Sequence, residues 1–222
     1  MPRLDTLKVV TLALLIGLAC LLRGEPARAA GSEVLTVAGG CFWCVESDFE
    51  SVPGVSEVIS GYTGGTLKNP TYADVSHGGS GHYEAVQIHF DPARVSREQL
   101  LRMYFRAIDP TDAGGQFCDR GDSYRTAIFV SDKAEQALAE AARDEAQAAL
   151  GQKIVTKILP AGRFYPAEDY HQNYYKGTRI VLTRAGPKRQ SSAYAFYRRS
   201  CGRDQRVHQL WGDQAPFVGK HG

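Results

Sequence analysis

The chain has 222 residues, with 26 Lys+Arg against 24 Asp+Glu, five cysteines, ten prolines and 23 glycines. A 43% apolar share beside 23% charge describes a globular chain and excludes wholesale disorder, a collagen-like repeat and a multi-span membrane protein. Five cysteines are too few for a disulfide scaffold of this length, and basic residues scattered among acidic ones leave no nucleic-acid footprint, so function has to be sought in local chemistry.

Residues 1–30 read as a cleaved secretory signal. Arg3 and Lys8 precede an apolar run over residues 9–22 broken only by Thr11 and Gly17, and Ala27-Arg28-Ala29 supplies small residues for cleavage near Ala29 or Ala30. The alternatives are a single membrane anchor and an acylated lipoprotein Cys20. The first is short of the roughly twenty residues a span needs, and the second fits poorly with Gly17 and with Leu21-Leu22 continuing the run. Without the signal, 22 basic and 22 acidic residues remain, so the mature chain is formally neutral and keeps Cys41, Cys44, Cys118 and Cys201. Export to the periplasm places these four in an oxidising compartment, where disulfides persist.

In chain order, residues 34–38 form a β-branched run ending at Gly39-Gly40, followed by a helical pattern over 42–50. Residues 55–62 read as a strand closed by Gly64-Gly65, and residues 83–90 alternate until Asp91-Pro92 stops them. Ser96-Arg97-Glu98-Gln99 is a capping-box signature, with Val95 and Leu100 as a hydrophobic staple, for a helix running to about residue 108. A strand at 126–130, an Ala/Glu-rich helix at 134–150 ended by Gly151 and a strand at 154–159 complete the pattern. The order predicts an α+β fold: a two-layer sandwich with a split βαβ, ferredoxin-like core, then a further helix and strand. Beyond Tyr175 no periodicity is clear; residues 184–192 read as a loop, and the catalytic domain is bounded at 31–200, with 201–222 a C-terminal tail.

The densest chemistry is Gly39-Gly40-Cys41-Phe42-Trp43-Cys44-Val45-Glu46. A strand ending in two glycines and turning into a helix puts Cys41 at the helix N-terminus, where free N–H groups and the dipole favour a thiolate. The bland alternative is a buried structural cysteine. Cys44 makes the motif C-x-x-C. Val45 excludes haem attachment, the isolation of Cys118 and Cys201 disfavours zinc, and a redox pair remains open. Glu84 shares the period-two face of Val86, Ile88 and Phe90. A carboxyl there is desolvated and raised in pKa, fit to donate a proton, unless it sits at the wet strand end paired with an arginine. Tyr72, Tyr124, Tyr170, Tyr174 and Tyr175 lie in polar loops, as packing residues or as phenols converging on a polar oxygen.

These blocks resemble the A-type peptide methionine sulfoxide reductases. The resemblance spans about residues 37–172 and includes Gly61-Tyr62-Thr63-Gly64-Gly65, Pro70-Thr71-Tyr72, Gly81-His82-Tyr83-Glu84-Ala85-Val86, Asp109-Pro110-Thr111, Asp119-Arg120-Gly121-Asp122-Ser123-Tyr124-Arg125 and Ala167-Glu168-Asp169-Tyr170-His171-Gln172. It implies an α+β sandwich and reduction of methionine S-sulfoxide, free or in proteins, as repair after oxidative stress. By the resemblance Cys41 attacks the sulfoxide sulfur, Glu84 protonates the leaving oxygen, and Tyr72 and Tyr124 add donors. Phe42 and Trp43 wall the methyl group, Asp119 orients the polar cluster, and Tyr174 lines the site. A Cys41 sulfenic acid then condenses with a second thiol. Thioredoxin or a thioredoxin-like dithiol outside the cytoplasm resets it, without a bound cofactor or metal. Oxidised proteins and peptides are the partners, and the chain is expected to be a monomer, free of nucleic acid and of the membrane after cleavage.

The sequence departs from many relatives in having Cys44 where they have Gly. Cys201, in a tail able to swing, is the first choice of resolving thiol, followed by Cys44 and Cys118. Two competing classes stay open: a general thiol–disulfide oxidoreductase, which leaves Glu84 and Tyr72 without a job, and a binding module held by two disulfides.

Overall fold

Apolar alternation sets which face of each strand is buried, and the buried faces point to one layer of helices. The strands in chain order are β1 (Glu33–Gly39), β2 (Val55–Thr63), β3 (Tyr83–Phe90), β4 (Gly115–Gln116), β5 (Asp119–Arg120), β6 (Thr126–Val130), β7 (Lys157–Pro160), β8 (Tyr165–Pro166), β9 (Ile180–Thr183) and β10 (Gly186–Arg189). The helices are α1 (Phe42–Glu50), α2 (Tyr72–Ser76), α3 (Arg97–Phe105), α4 (Lys133–Leu150), α5 (Gln190–Ser200) and α6 (Arg203–Trp211). The computed structural model describes residues 31–220. The expected signal segment, Cys20 included, lies outside the described residues.

Six strands form one mixed sheet in the order β7-β6-β1-β3-β2-β8, with β6–β7 parallel and the other pairings antiparallel. Thus β3 lies between β1 and β2, the strands joined through α1, and β1 lies between β3 and β6, which are joined through α3. The fold is the mixed α/β arrangement that the order of sequence elements implies. Leu35, Val37, Val86, Ile88, Phe90 and Ile128 meet Phe42, Val45 and Phe49 of α1, and Leu100, Leu101, Tyr104 and Phe105 of α3. On α1 the spacing of Phe42, Val45 and Phe49 gives one apolar stripe. Burying each such side chain contributes roughly 1.5–3 kcal/mol. A smaller cluster of Ala38, Tyr83, Ala85, Ala127 and Phe129 packs the opposite face of the sheet.

The capping chemistry acts as its residues dictate. Ser96 accepts from the Gln99 N–H at 3.3 Å and the Gln99 side chain accepts from the Ser96 N–H at 2.8 Å. The helix stops at Phe105 rather than near 108, and Ala107 and Ile108 are buried in the turn beyond it. Gly151 ends α4 with φ +63°. The strand expected over 154–159 is shorter and later, at β7.

The C-terminal fifth departs furthest from expectation. Residues 184–192 do not form a loop: β9 and β10 pair as a hairpin, with the Thr183 hydroxyl donating to the Gly186 carbonyl at 2.6 Å, and α5 starts at Gln190. The tail expected over 201–222 is helical through α6 and contributes Val207, Trp211 and Phe217 to the main core. Cys201 is bonded to Cys118 across 83 residues, with Cα atoms 4.9 Å apart. The tail is therefore fastened rather than free to swing. The α5 helix before it is held by an ion pair that composition does not display: Arg198 is 2.8 Å from Asp48, their side chains 3% and 1% exposed. Arg203 donates to the carbonyls of Gly39 and Ala107 at 3.1 and 2.9 Å.

Candidate active site

Gly40 turns the chain from β1 into α1 with φ +78°, and a Cβ there would stand 2.5 Å from the Cβ of Gln116. Only glycine fits that approach, and it sets Cys41 as the N-cap residue of α1. The first free amide of the helix, Phe42 N–H, does not meet the thiol: it donates to the Glu84 carboxyl at 3.1 Å. Glu84 lies on the helix-facing side of β3, as the alternation requires, and is 2% exposed. Burial pushes its carboxyl up to about 8; the Phe42 N–H and the Tyr124 hydroxyl pull against this, and Asp119 adds to it. Glu84 is a proton-bearing acid near neutrality.

Cys41 and Cys44 are free thiols, which excludes a module held by two disulfides. Their side chains hydrogen-bond to each other. That bond, with Arg203 and Arg198 beside it, draws Cys44 down to about 7 against the effect of burial. The same bond raises Cys41, as do burial, Cys44 itself and the carboxyls of Glu84 and Asp119. The two thiols thus titrate as a pair, Cys41 raised and Cys44 lowered, while the Phe42 amide at the helix start is occupied by Glu84.

Tyr72 begins a short helix, not a loop, capped by Thr71 and Asp74. Its backbone N–H donates to Glu168 at 2.8 Å, and the other oxygen of Glu168 accepts from the Tyr62 hydroxyl at 2.8 Å. Tyr124 closes the 3-10 turn Asp122–Tyr124. Its hydroxyl reaches both the Glu84 carboxyl and the Tyr72 hydroxyl. Burial raises both phenols, so each stays a neutral donor. Burial also raises the Asp119 carboxyl, with Arg203 opposing.

The aromatic wall is fixed from behind. The Trp43 indole N–H donates to His171 Nδ1 at 3.2 Å, and the ring stacks on Tyr174 at 3.8 Å and 5°. His171, pushed down to about 4 by burial, is neutral and packs against Phe42 at 5.1 Å and Tyr72 at 4.4 Å. A cavity of about 520 Å³ opens in front and is lined by Cys41, Phe42, Trp43, Cys44, Tyr72, Glu84, Cys118, Asp119, Tyr124 and Cys201. These are all the site residues expected from sequence except Tyr174, which supports Trp43 and does not line the cavity. Cys118, Asp119 and Cys201 bring three possible ligand atoms within 4.8 Å, but with the two sulfurs joined they make no metal-ligand set.

Sequence reasoning gave no role to several positioning residues. Glu46 accepts from the Ser60 hydroxyl at 2.7 Å and the Asn173 N–H at 2.5 Å, tying α1 to β2 and to the loop behind Trp43. The Gln172 amide bonds the Ser60 N–H and carbonyl at 3.0 and 2.8 Å. Glu46, Glu168, His171 and Gln172 all fall within the quoted sequence blocks, which was their available signal. Arg198 and Arg203 had none.

A nucleophilic thiol, a neutral carboxyl, two phenols and an apolar wall suit attack on a polar, oxygen-bearing sulfur. A family model for peptide methionine sulfoxide reductase matches residues 33–214. The chain is 50% identical over 190 residues to Peptide methionine sulfoxide reductase MsrA 2 of Rhizobium meliloti, covering 86% of this chain and 89% of that one. To MsrA 2 of Caulobacter vibrioides it is 51% identical over 197 residues, covering 88% and 94%. Among solved structures, reduced Mxr1 from Saccharomyces cerevisiae matches with TM-score 0.63 and 29% identity over 65% of this chain and 84% of that one. Methionine sulfoxide reductase A of Corynebacterium diphtheriae matches with TM-score 0.59 and 34% identity over 70% and 77%.

Proposed function

The chain belongs to the peptide methionine sulfoxide reductase family, and from that premise we propose how its own residues carry the reduction of methionine sulfoxide and the closing of the thiol cycle. The observation that carries the reading is the hydrogen-bonded Cys41–Cys44 pair in one cavity with the buried acid Glu84. The methyl group rests on Phe42 and Trp43, while the oxygen faces Glu84, Tyr72 and Tyr124. With the Cys41 sulfur fixing the direction of attack, wall, donors and nucleophile make the three points that selection of the S epimer requires. Cys44 thiolate takes the proton of Cys41 as the Cys41 sulfur bonds to the sulfoxide sulfur. Glu84 gives its proton to the oxygen, on which charge develops. Oxygen transfer leaves methionine and a Cys41 sulfenic acid.

Cys44 then attacks the Cys41 sulfur; its proton leaves with the hydroxyl as water, and a Cys41–Cys44 disulfide results. Cys44 replaces Cys201 as first choice of resolving thiol, because the Cys201 sulfur is already bonded to Cys118. An external dithiol of the thioredoxin kind restores the pair by exchange. One turnover without reductant tests this: wild-type protein should release one methionine per chain from the S epimer, leave the R epimer intact, and yield a Cys41–Cys44 linked peptide on digestion. A Cys41–Cys201 link would remove Cys44 from the resolving role, and no methionine would sink the whole reading.

Export is part of the same reading, on the strength of the ordered charged, apolar and small-residue regions over 1–30. The protein then repairs others in the periplasm. N-terminal sequencing of the protein recovered from that compartment should begin at Ala30 or Gly31, and an intact N-terminus at Met1 would overturn cleavage.

A further inference from the structure

Between Asp169 and Asp204 the chain carries eight basic residues and no acidic one, although the domain as a whole is balanced. Four of the eight have structural partners: Lys176 pairs with Glu50, Lys188 stands over the Phe196 ring, Arg198 pairs with Asp48 and Asp204, and Arg203 bonds two carbonyls. Arg179, Arg184 and Arg189 are exposed, placed before β9, in the hairpin turn and at the end of β10. On the same hairpin Ile180 is 67% and Leu182 86% exposed. The register sets Leu182 opposite Pro187 and Ile180 opposite Arg189, so one face of this two-stranded sheet is apolar with cations around it. Exposed apolar side chains gathered on one face, unlike scattered ones, mark a contact surface. The turn reaches the catalytic cavity, which Arg184 lines together with Cys41, Trp43 and Glu84.

We propose that the hairpin over residues 180–189 docks the oxidised polypeptide itself, as an extended segment whose methionine sulfoxide is flanked by acidic and apolar residues. The proposal rests on the reductase reading and names its substrate class. A segment leaving the cavity past Arg184 runs onto Leu182 and Ile180, with its carboxylates against Arg179, Arg184 and Arg189. At about 3.3 Å per residue the four residues of β9 match about four flanking residues of an extended chain. Free methionine sulfoxide has no flanks and gains nothing from this surface. The positive charge would serve an anionic lipid surface equally; continuity with the cavity through Arg184 favours a peptide.

The mature protein should use a sulfoxide peptide with Asp, Glu and Leu flanks about tenfold better in kcat/KM at low salt than one with Lys flanks. That advantage should shrink as ionic strength rises. Arg179→Glu with Arg189→Glu should invert the preference towards the Lys-flanked peptide, and Leu182→Ser should weaken both peptides, while free methionine sulfoxide is reduced as before. Equal use of the two peptides by wild-type protein, or an unchanged preference in the charge-reversed variant, overturns the proposal. So does a defect confined to multiple turnover with a dithiol donor, which assigns the face to the reductant. Loss of binding to phosphatidylglycerol vesicles with peptide preference intact also overturns it, assigning the face to membrane. Failure of wild-type protein to reduce free methionine sulfoxide strikes the reductase reading instead.

Discussion

Cys41→Ser is expected to abolish methionine formation even in a single turnover, while the far-ultraviolet circular dichroism and melting temperature stay near those of wild type. The serine hydroxyl is smaller than the thiol and introduces no clash, and position 41 caps α1 through its backbone carbonyl, which accepts from the Cys44 and Val45 N–H groups at 3.1 and 3.5 Å. Nothing in the helix start depends on the thiol. The chemistry does, because a sulfenic acid forms only on a sulfur. Cys44 cannot substitute: it stands one turn further along α1, over Arg198 and Arg203, and is 7% exposed. Methionine production by the serine variant at more than a trace of the wild-type amount would place the nucleophile elsewhere.

Glu84→Gln is expected to slow the reductase step by about 10²–10⁴-fold, the range of general acid catalysis, with binding of the sulfoxide little changed. The amide can still donate a hydrogen bond to the oxygen but has no proton to surrender. The pH profile supplies a sharper readout. With Cys44 near 7, the rate of the wild-type step rises as the thiol pair loses its first proton. With Glu84 raised to about 8, the rate falls again as pH passes that value and the acid is lost. The wild-type profile should therefore be bell-shaped, and the glutamine variant should keep the acidic limb and lose the alkaline one. Stopped-flow measurement of the single-turnover rate across pH 5–10 checks both; an alkaline limb that survives in Glu84→Gln would mean another group donates the proton.

The elements that position this chemistry were legible because their signals are local. Gly39-Gly40 ahead of Cys41, the alternation that puts Glu84 with Val86 and Ile88, and the Ser96 capping box each express a short-range rule, and each appears in the fold. Other features depend on contacts distant in sequence. The helix start alone does not show that Glu84, 42 residues away, takes the Phe42 amide beside Cys41. Hydropathy cannot show that Arg198 of α5 is neutralised by Asp48, 150 residues earlier, or that Cys118 fastens the tail behind it. Thr71 and Asp74 spell a capping box, a local signal for the short helix that Tyr72 begins in place of the expected loop. Cys118 and Cys201, candidates for the resolving thiol, line the cavity, but their pairing with each other goes with the burial of α6, which the sequence does not display.

The grip on the acid comes from a main-chain amide, since Phe42 N–H is the donor. Side-chain variation at position 42 thus leaves that hydrogen bond in place, and among the standard residues only proline deletes it. Heritable change can remodel the wall that meets the methyl group without dislodging the proton source beside it. Substrate range and proton delivery can diverge separately among descendants of this chain, because one is written in a side chain and the other in the backbone.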